Sequence, residues 1–365
     1  MISTRTARRF MRLATGLDTG FATLDEALAH LGFVQIDPIN VCGRMQDHIL
    51  RHRVIGYREH DLMRHLHHQG VRTAFEHHLP DSNNLAALPM EAWPHLQHVM
   101  CARVSTDSTW SGKLSAAEKK LAISIIECMR DEGPLCSQDI ESSRKAKTHA
   151  WDSTSLAKST LQKLFFHGRV LIARREANRR YYDLPETVLP ADILNSPTTT
   201  QAETDRWLAL LKLRQRRLAV LKSSELRLIA DEVLPVTLAD QKSPMLHLLR
   251  SDEALLDSAS NESPRTSPPL LIAPLDPIIY DRRVTEAVWG FDYRWEVYVP
   301  PQKRVRGYYA LPLLHRDAFI GYADVKADRE AGLLQVMNQE SSSQTHAKRA
   351  VSQLCDFLGL RKYSQ

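Results

Sequence analysis

Apolar residues recur at helical spacing through the first two-thirds of the chain, and several of these stretches begin with a capping signal. Thr23–Leu31 opens with such a signal and predicts a helix. Ser115–Arg130 is the clearest case, because Ser115 and Glu118 form a capping-box pattern ahead of one continuous apolar face. Ser343–Leu358 has the same amphipathic character and predicts a helix that closes the chain.

The segment after the capping box continues in an order typical of a winged helix-turn-helix. Gly133-Pro134 breaks the first helix, Ser137–Ile140 predicts a short second one, and Ser153–His167 predicts a third. The apolar runs Val170–Ala173 and Tyr181–Leu184 flank a charged turn and predict a two-stranded ribbon. Three helices followed by a ribbon are the elements of a winged helix.

Basic residues are concentrated on the last helix and on the predicted wing of this segment. Phosphate groups of DNA would contact these positions first, and the residues of the wing are Arg174, Arg175, Arg179 and Arg180. The pattern favours DNA binding over its alternative, which is a winged helix used for packing or for protein contact.

The C-terminal third has a different pattern. Short β-rich runs alternate there with Pro, Gly and charged turns, which predicts a small barrel or sandwich. These runs are Leu270–Ala273, Trp295–Val299, Gly307–Leu314, Ala318–Val325 and Gly332–Val336. A Ser- and Pro-rich stretch at Asp257–Pro269 marks the boundary before them. Two further amphipathic stretches, Glu203–Lys222 and Ser223–Val233, precede that boundary and predict another helical unit.

Together these elements predict an α+β protein with tandem winged helix-turn-helix modules followed by a small C-terminal β-barrel. The predicted boundaries are a first winged helix at 1–100, a second at 110–193, a degenerate third at 202–262, the barrel at 268–340 and a final helix at 343–360.

Composition narrows the class of protein only slightly. The formal net charge of +5 suits a nucleic-acid surface, but many proteins without such a partner share it. The 5 cysteines are scattered without metal-type spacing, which predicts reduced thiols. No apolar run approaches the ~20 residues needed to span a bilayer, and no apolar stretch follows the basic N-terminus. We therefore expect a cytoplasmic protein with no membrane partner. We also expect it to be nucleoid-associated, as a DNA-binding protein would be, and to be a monomer.

Familiar catalytic motifs are absent from the sequence. It contains no phosphate-binding loop, dinucleotide fingerprint, zinc-protease, nucleophile-elbow or zinc-deaminase pattern. Histidines are crowded at His65, His67, His68, His77 and His78, but acidic or cysteine partners at ligand spacing are lacking. We expect neither a metal site nor a cofactor.

Gln35-Ile36-Asp37 is the most informative short stretch. In an extended segment alternate side chains share a face, so Gln35 and Asp37 would point together, and Pro38 favours that geometry. A carboxylate beside an amide can hold and polarise a water molecule. The alternative is a helix start, with Asp37 as the N-cap and Pro38 at the first helical position. The residues alone favour the cap, and both interpretations can hold together.

Several blocks in chain order resemble the bacterial YcaQ-type winged-helix family. At the N-terminal end they are Phe33-Val34-Gln35-Ile36-Asp37-Pro38, Arg44–Arg53, Tyr57 and Phe75-Glu76-His77. At the C-terminal end they are Pro274-Leu275-Asp276-Pro277, Asp281-Arg282-Arg283, Phe291-Asp292-Tyr293, Glu296, Tyr298-Val299-Pro300, Lys303-Arg304 and Gly307–Pro312. The blocks lie near both ends, so the resemblance covers nearly all of the chain.

The resemblance implies an alkylpurine DNA glycosylase that unhooks interstrand crosslinks in double-stranded DNA. The family's catalytic motif is Gln-apolar-Asp or Gln-apolar-Gln, and Gln35 and Asp37 match the Asp version. Within the matching blocks, the further DNA-binding candidates are Arg44, His48, Arg53, Lys303 and Arg304. The chain departs from the family pattern at His78, at Pro80-Asp81 and at Gly321-Tyr322, which leaves the DNA contacts and the lesion preference open.

The resulting hypothesis is a monofunctional glycosylase that excises N7-alkylated purines. The first alternative is a non-catalytic regulator that uses the same winged helices. The second is a metal-dependent nuclease that would draw on Asp276, Asp281, Asp292 and Glu296.

Overall fold

The computed structural model describes residues 1–140, 153–240, 242–261 and 267–362. The chain divides into two compact units. Met1–Asp61 and Leu208–Gln365 together form unit 1, and Leu62–Trp207 forms unit 2. Both helices and strands occur in each unit, so the protein is an α+β protein as predicted. All five cysteines are free thiols.

The helices in chain order are α1 (Thr4–Ala14), α2 (Leu24–Leu31), α3 (Met45–Leu50), α4 (Asp61–His67), α5 (Trp93–Arg103), α6 (Ala116–Glu132), α7 (Ser153–Phe166), α8 (Pro185–Val188), α9 (Ala191–Leu194), α10 (Gln201–Arg216), α11 (Ser223–Ile229), α12 (Glu253–Asn261), α13 (Arg282–Trp289) and α14 (Gln344–Leu358). Residues 137–140 are also helical. None of the helices in the described ranges is long and apolar enough to cross a membrane.

The strands are β1 (Val34–Gln35), β2 (Ala74–His78), β3 (Leu85–Pro89), β4 (Leu171–Glu176), β5 (Arg179–Asp183), β6 (Val233–Val236), β7 (Leu246–Leu249), β8 (Leu270–Leu271), β9 (Ala310–His315), β10 (Ala318–Asp328), β11 (Leu333–Ser341) and β12 (Arg361–Lys362). In unit 2, β2 pairs with β3 and β4 with β5, each antiparallel. In unit 1, β6 pairs with β7, also antiparallel.

The capping signals act as the sequence predicts. The Ser115 hydroxyl accepts the Glu118 amide, and the Glu118 carboxylate accepts the Ser115 amide in return. This reciprocal pair fixes the start of α6 because it occupies two backbone donors that the helix leaves unpaired. Thr23 caps α2 and Ser343 caps α14 more simply, since in each case one side-chain oxygen accepts one backbone amide.

In unit 2, α6, the helical residues 137–140, α7 and the β4–β5 hairpin follow the predicted order. The aromatic residues of this unit pack closely, since His78 stacks on Phe166 at 4.2 Å and Phe165 lies edge-on to Tyr182 at 5.8 Å. Residues 141–152 of the predicted module lie outside the described ranges.

The C-terminal sheet of unit 1 has five strands in the order β12-β11-β10-β9-β8. Neighbouring strands are antiparallel except β11 and β12, which are parallel. No pairing between the two edge strands closes the sheet within the described residues, so a closed barrel is not confirmed. The apolar core of the unit combines residues of α1, the β6–β7 hairpin, α13 and this sheet, including Phe10, Leu248, Ile272, Val288 and Leu314.

One predicted strand is wrong. Trp295–Val299 forms a turn, in which the Val299 amide donates to the Glu296 carbonyl at 2.9 Å. The side chain of Glu296 also binds backbone amides of residues 305–307, so this stretch closes on its own loop. Alternating β-prone residues cannot reveal such a loop, because its backbone is satisfied by a carboxylate and not by a neighbouring strand.

Candidate active site

The Gln35–Asp37 stretch lies in unit 1 and is more buried than the sequence predicts. Val34, Gln35, Ile36 and Asp37 are exposed by only 2%, 8%, 5% and 7%. Strand β1 ends at Gln35, and residues 36–39 have no regular secondary structure. The expected alternation of a packed face and a solvent face is therefore not seen in the exposed fractions.

Asp37 forms a tight turn and caps no helix. Its Oδ1 accepts the amide of Ile39 at 2.8 Å, while its own amide donates to Oε1 of Gln46 at 3.3 Å. The next helix, α3, begins at Met45 with Arg44 in the capping position. The alternative that Asp37 and Pro38 start a helix is therefore wrong, and the same oxygen instead closes an Asx-type turn.

One carboxylate oxygen of Asp37 is left for chemistry. No residue in the described ranges donates a hydrogen bond to Oδ2, and this atom is not among the side-chain oxygens sealed from solvent. Burial raises the pKa of Asp37, and the Ile39 amide and the charge of Arg44 oppose that rise. A carboxylate with a raised pKa accepts a proton more readily than an ordinary aspartate does.

Gln35 is held by a residue that the sequence analysis did not single out. The hydroxyl of Tyr280 donates to Oε1 of Gln35 at 3.4 Å. The Arg216 guanidinium lies 4.6 Å above the Tyr280 ring, and an Arg216 nitrogen lies 4.0 Å from an Asp281 oxygen. The only sequence signal for Tyr280 was its place between the quoted blocks at Pro274–Pro277 and Asp281–Arg283.

His48 is wrongly predicted as a DNA contact. It is fully buried in unit 1, and its Nε2 lies 3.7 Å from Sγ of Cys42. Burial and the charge of Arg51 lower the pKa of His48 to about 3, so the ring is neutral at neutral pH. A neutral side chain without solvent exposure cannot bind a phosphate group.

Arg53 is also wrongly predicted as a DNA contact. Its guanidinium forms two hydrogen bonds of 2.7 Å with Asp276, and both side chains are 0% exposed. It donates further to the carbonyls of Thr15 and Ile49. These hydrogen bonds all lie inside unit 1, and through them the Arg53 guanidinium joins the end of α3 to the loop after β8.

Other predicted DNA-binding residues of unit 1 lie nearer the surface. Arg44 is half-buried, Lys303 is exposed and Arg304 is half-buried. Arg304 donates through Nε to the Val299 carbonyl at 2.8 Å, and its guanidinium lies 4.7 Å above the ring of Tyr308.

The wing of unit 2 keeps some of its predicted cationic surface. The Arg175 side chain is only 9% exposed and forms an ion pair with Glu76, so it is withdrawn from the surface. Arg174 is 43% exposed, but it pairs with Glu176 and lies 3.6 Å above the Tyr181 ring. Arg179 is exposed and Arg180 is half-buried, which makes Arg179 the most accessible of the four arginines.

The carboxylates of the nuclease alternative are occupied elsewhere. Asp276 binds Arg53, Glu296 binds three backbone amides, and Asp281 accepts the Arg283 amide at the start of α13. Asp292 lies 3.5 Å from Arg282 and lines one cavity together with Asp281. Within the described residues, no three of the four carboxylates have the spacing of metal ligands. The His/Cys/Asp/Glu group with metal-like spacing that the described ranges contain is instead Asp47, Glu59 and His60.

The crowded histidines also have partners. His77 and His78 bind the carbonyls of Phe165 and Asn83, and His67 binds the Glu76 carboxylate at 2.6 Å.

Comparison with known proteins identifies the class. A family model described as DNA glycosylase AlkZ-like matches residues 28–358. The match covers most of the chain, and the protein belongs to the AlkZ-like DNA glycosylase family. Its function as a DNA glycosylase in DNA repair follows from that membership.

The fold is also similar to that of a solved relative. The DNA glycosylase AlkZ of Streptomyces sahachiroi superposes with a TM-score of 0.64 at 14% identity, and the match covers 100% of both chains. At this identity the similarity concerns the fold.

Proposed function

We propose that this protein is a monofunctional glycosylase that hydrolyses the N-glycosidic bond of N7-alkylated purines in double-stranded DNA. The substrates include purines joined in an interstrand crosslink, and the protein acts as a monomer. Membership of the AlkZ-like family supports the reaction class. The observation that carries the finer proposal is Asp37, whose Oδ1 is fixed by the Ile39 amide while Oδ2 remains available.

Alkylation at N7 makes the purine cationic and therefore a good leaving group. The bond from C1′ to N9 breaks, and its electron pair neutralises the positive charge of the departing base. Water then forms the new bond to C1′ and loses a proton to Asp37. The anionic carboxylate also stabilises the positive charge that develops on the sugar in the transition state.

Gln35 orients this water or the Asp37 carboxylate. Its Oε1 accepts the Tyr280 hydroxyl, and the NH₂ group at the other end of the amide is a hydrogen-bond donor. An amide donor and a carboxylate acceptor on neighbouring positions suit a water molecule that must give up a proton on one side only.

The crosslink part of the proposal follows from the geometry of the lesion. A base tethered to the opposite strand cannot rotate fully into an enclosed pocket. The reaction then takes place with the lesion still within the duplex, which requires a site open to DNA.

The proposal keeps tandem winged helices as the DNA-binding modules. The order of α6, residues 137–140, α7 and the β4–β5 hairpin supports a winged helix at 110–193. The first module at 1–100, the degenerate third at 202–262, the barrel at 268–340 and the final helix at 343–360 belong to the same proposal. Phosphate contacts are proposed for Arg44, Arg174, Arg179, Arg180, Lys303 and Arg304.

The test compares Asp37→Asn with the wild type on duplexes containing 7-methylguanine or a nitrogen-mustard crosslink. Asparagine keeps an oxygen for the Ile39 amide, so the turn is preserved while the negative charge and the basic oxygen are lost. We expect release of free base to fall by about 10²- to 10⁴-fold, with DNA affinity within about twofold of the wild type. Asp231→Asn, at an exposed position of the same unit, is the matched control.

Other results would favour the alternatives. Full activity in Asp37→Asn removes this residue from the mechanism. Binding of a short specific site without base release from alkylated DNA favours a regulator. Strand scission that needs Mg²⁺ but no heat or added base favours a nuclease.

A further inference from the structure

An exposed apolar surface stands out in unit 1 on the loop between α13 and β9. Tyr298 is 81% exposed, Val305 75% and Tyr308 37%. Single exposed apolar residues are common on proteins, but three on one loop need an explanation. We call residues 294–308 the aromatic loop.

The aromatic loop is held rigidly although its tip is exposed. Glu296 is 5% exposed and accepts the amides of Val305, Arg306 and Gly307 at 2.8 to 3.0 Å. Asp324 is 7% exposed and accepts the amides of the next two residues, 308 and 309, at 3.1 and 2.9 Å. Five consecutive backbone donors are therefore bound by two buried carboxylates, so the exposed side chains project from a fixed backbone.

The electrostatics of the two carboxylates differ. Burial raises the pKa of Asp324, and the amides of Tyr309 and Tyr308 only partly oppose that rise. Burial by itself would raise the pKa of Glu296, but the three amides hold that pKa below its ordinary value. Glu296 therefore stays anionic and bound to the backbone. Its carboxylate binds backbone amides of the loop and is buried from solvent.

The rim of the aromatic loop is cationic. Arg294 and Lys303 are exposed, and Arg304 and Arg306 are half-buried. Arg304 lies 4.7 Å above the Tyr308 ring, and one exposed carboxylate, Asp292, lies next to the loop. An apolar and aromatic tip with a cationic rim is complementary to a polyanion whose interior consists of stacked rings.

A chain of aromatic contacts connects the loop to helix α3, which follows the Gln35–Asp37 stretch. The Trp295 ring lies 6.0 Å from that of Tyr298 and 5.8 Å from that of Tyr309. Burial raises the pKa of Tyr309 well above its usual range, and Cys42 and the Asp37 carboxylate raise it further. The Tyr309 ring lies 6.3 Å from the ring of His48 in α3, and Gln46 of the same helix accepts the Asp37 amide. Tyr298 is at the solvent end of this chain.

We propose that the aromatic loop is a DNA wedge, in which Tyr298 and Val305 insert between base pairs beside the lesion while Lys303 and Arg304 contact the flanking phosphates. Apolar side chains that enter a base step unstack it partly and fix the duplex in a bent state. A preformed loop does this at a low entropic cost, since its backbone is ordered before DNA binds. The wedge rests on the proposed function, because it supplies the register that aims the damaged sugar at Asp37.

The experiment uses the full chain and a duplex with a tetrahydrofuran abasic analogue next to a thymine, so that no base release is needed. Affinity is measured at several salt concentrations, and unstacking is measured as permanganate reactivity of the thymine. We expect Tyr298→Ala to weaken binding by about 5- to 150-fold, the range for losing one stacking contact. The salt slope should not change, and the wild-type rise in thymine reactivity should disappear.

Controls separate stacking from folding. Tyr298→Phe keeps the ring and should match the wild type within about twofold. Met337→Ala removes another exposed apolar side chain of unit 1, which is 60% exposed, and should have no effect. Because Tyr298 is largely exposed, the unfolding transition of Tyr298→Ala should coincide with that of the wild type.

The possible outcomes decide the proposal independently of the chemistry at Asp37. Wild-type affinity and thymine reactivity in Tyr298→Ala would overturn the wedge, even if base release is normal. If the wild type adsorbs to phosphatidylserine vesicles and Tyr298→Ala does not, while DNA binding is unchanged in the variant, the wedge would also be overturned, in favour of a lipid surface. A Tyr298-dependent distortion in a protein that releases no 7-methylguanine would support the wedge while contradicting the proposed function.

Discussion

Arg53 provides a sharp test of whether a basic residue in a DNA-binding protein serves the fold or the DNA. The structure places its guanidinium against Asp276 with two 2.7 Å hydrogen bonds and no solvent exposure on either side chain. Replacing Arg53 by methionine keeps most of the side-chain volume but leaves a buried carboxylate without its counter-charge. We expect a loss of stability and no direct loss of DNA contacts.

The magnitude follows from the burial. Removal of one partner of a buried ion pair typically costs about 3–5 kcal/mol, because the remaining charge is uncompensated. The carbonyls of Thr15 and Ile49 also lose the donors that Arg53 supplies. A loss of at least about 3 kcal/mol is a large share of the ~5–15 kcal/mol that stabilises an ordinary domain. Asp276→Ala should cost a similar amount, because it leaves the cation buried.

The assay is equilibrium urea unfolding, followed by both fluorescence and circular dichroism because the chain has two compact units. DNA affinity is measured separately at a temperature where the variant is folded, and it should remain within about twofold of the wild type. The double variant Arg53→Met with Asp276→Leu should recover a large part of the lost stability, since neither buried charge then remains.

The matched control is Arg58→Met, an exposed arginine of the same unit, which should leave the unfolding transition unchanged. The reasoning is refuted if Arg53→Met unfolds like the wild type while its DNA affinity falls more than about tenfold. That result would restore Arg53 as a DNA contact.

Three further predictions concern the active site, the aromatic loop and the wing. Burial raises the pKa of Asp37, and the ionised carboxylate is the active form. Base release should therefore decline as pH falls through that pKa, starting above the ~3.9 of an ordinary aspartate. Asp37→Asn should show no such decline. Gly307→Ala should be more destabilising than Gly332→Ala in urea unfolding. Both glycines have a positive φ, but only the new Cβ at Gly307 would meet a buried carboxylate oxygen, at 2.0 Å. Arg179→Ala combined with Arg180→Ala should weaken DNA binding and reduce its salt slope by up to about 2.

Each of these predictions has a result that contradicts it. A rate that keeps its wild-type value down to pH 4 would place the titrating group elsewhere. Equal costs for the two glycine variants would mean that the backbone of the aromatic loop yields easily. An unchanged salt slope in the double arginine variant would argue against phosphate contacts from the wing.

The elements that the sequence predicts correctly depend on neighbouring residues. Helix α6 begins at its capping box because Ser115 and Glu118 bind each other's backbone amides, three residues apart. The β4–β5 hairpin follows from two apolar runs around a charged turn, a pattern that contains its own partner. The α+β class follows from such local patterns as well. The family resemblance, which the AlkZ-like match confirms, is carried by short blocks of consecutive residues.

The use of each charged side chain depends on residues far away in the chain. Arg53 and Asp276 are separated by 223 positions, so no local pattern indicates that they neutralise each other. The two carboxylates that anchor the aromatic loop likewise bind amides beyond the reach of any turn rule, so the local pattern at Trp295–Val299 predicts a strand that does not form.

The amino-acid sequence by itself determined where several helices and the β4–β5 hairpin begin, which family the chain resembles, and which short motif to inspect. Only the tertiary structure decided that His48 and Arg53 are buried, that Tyr280 meets Gln35, and that Oδ2 of Asp37 is left available. The physical reason is the range of the forces involved. Capping and turn formation act over a few residues, whereas burial sets the charge, the pKa and the accessibility of a side chain through everything that packs around it.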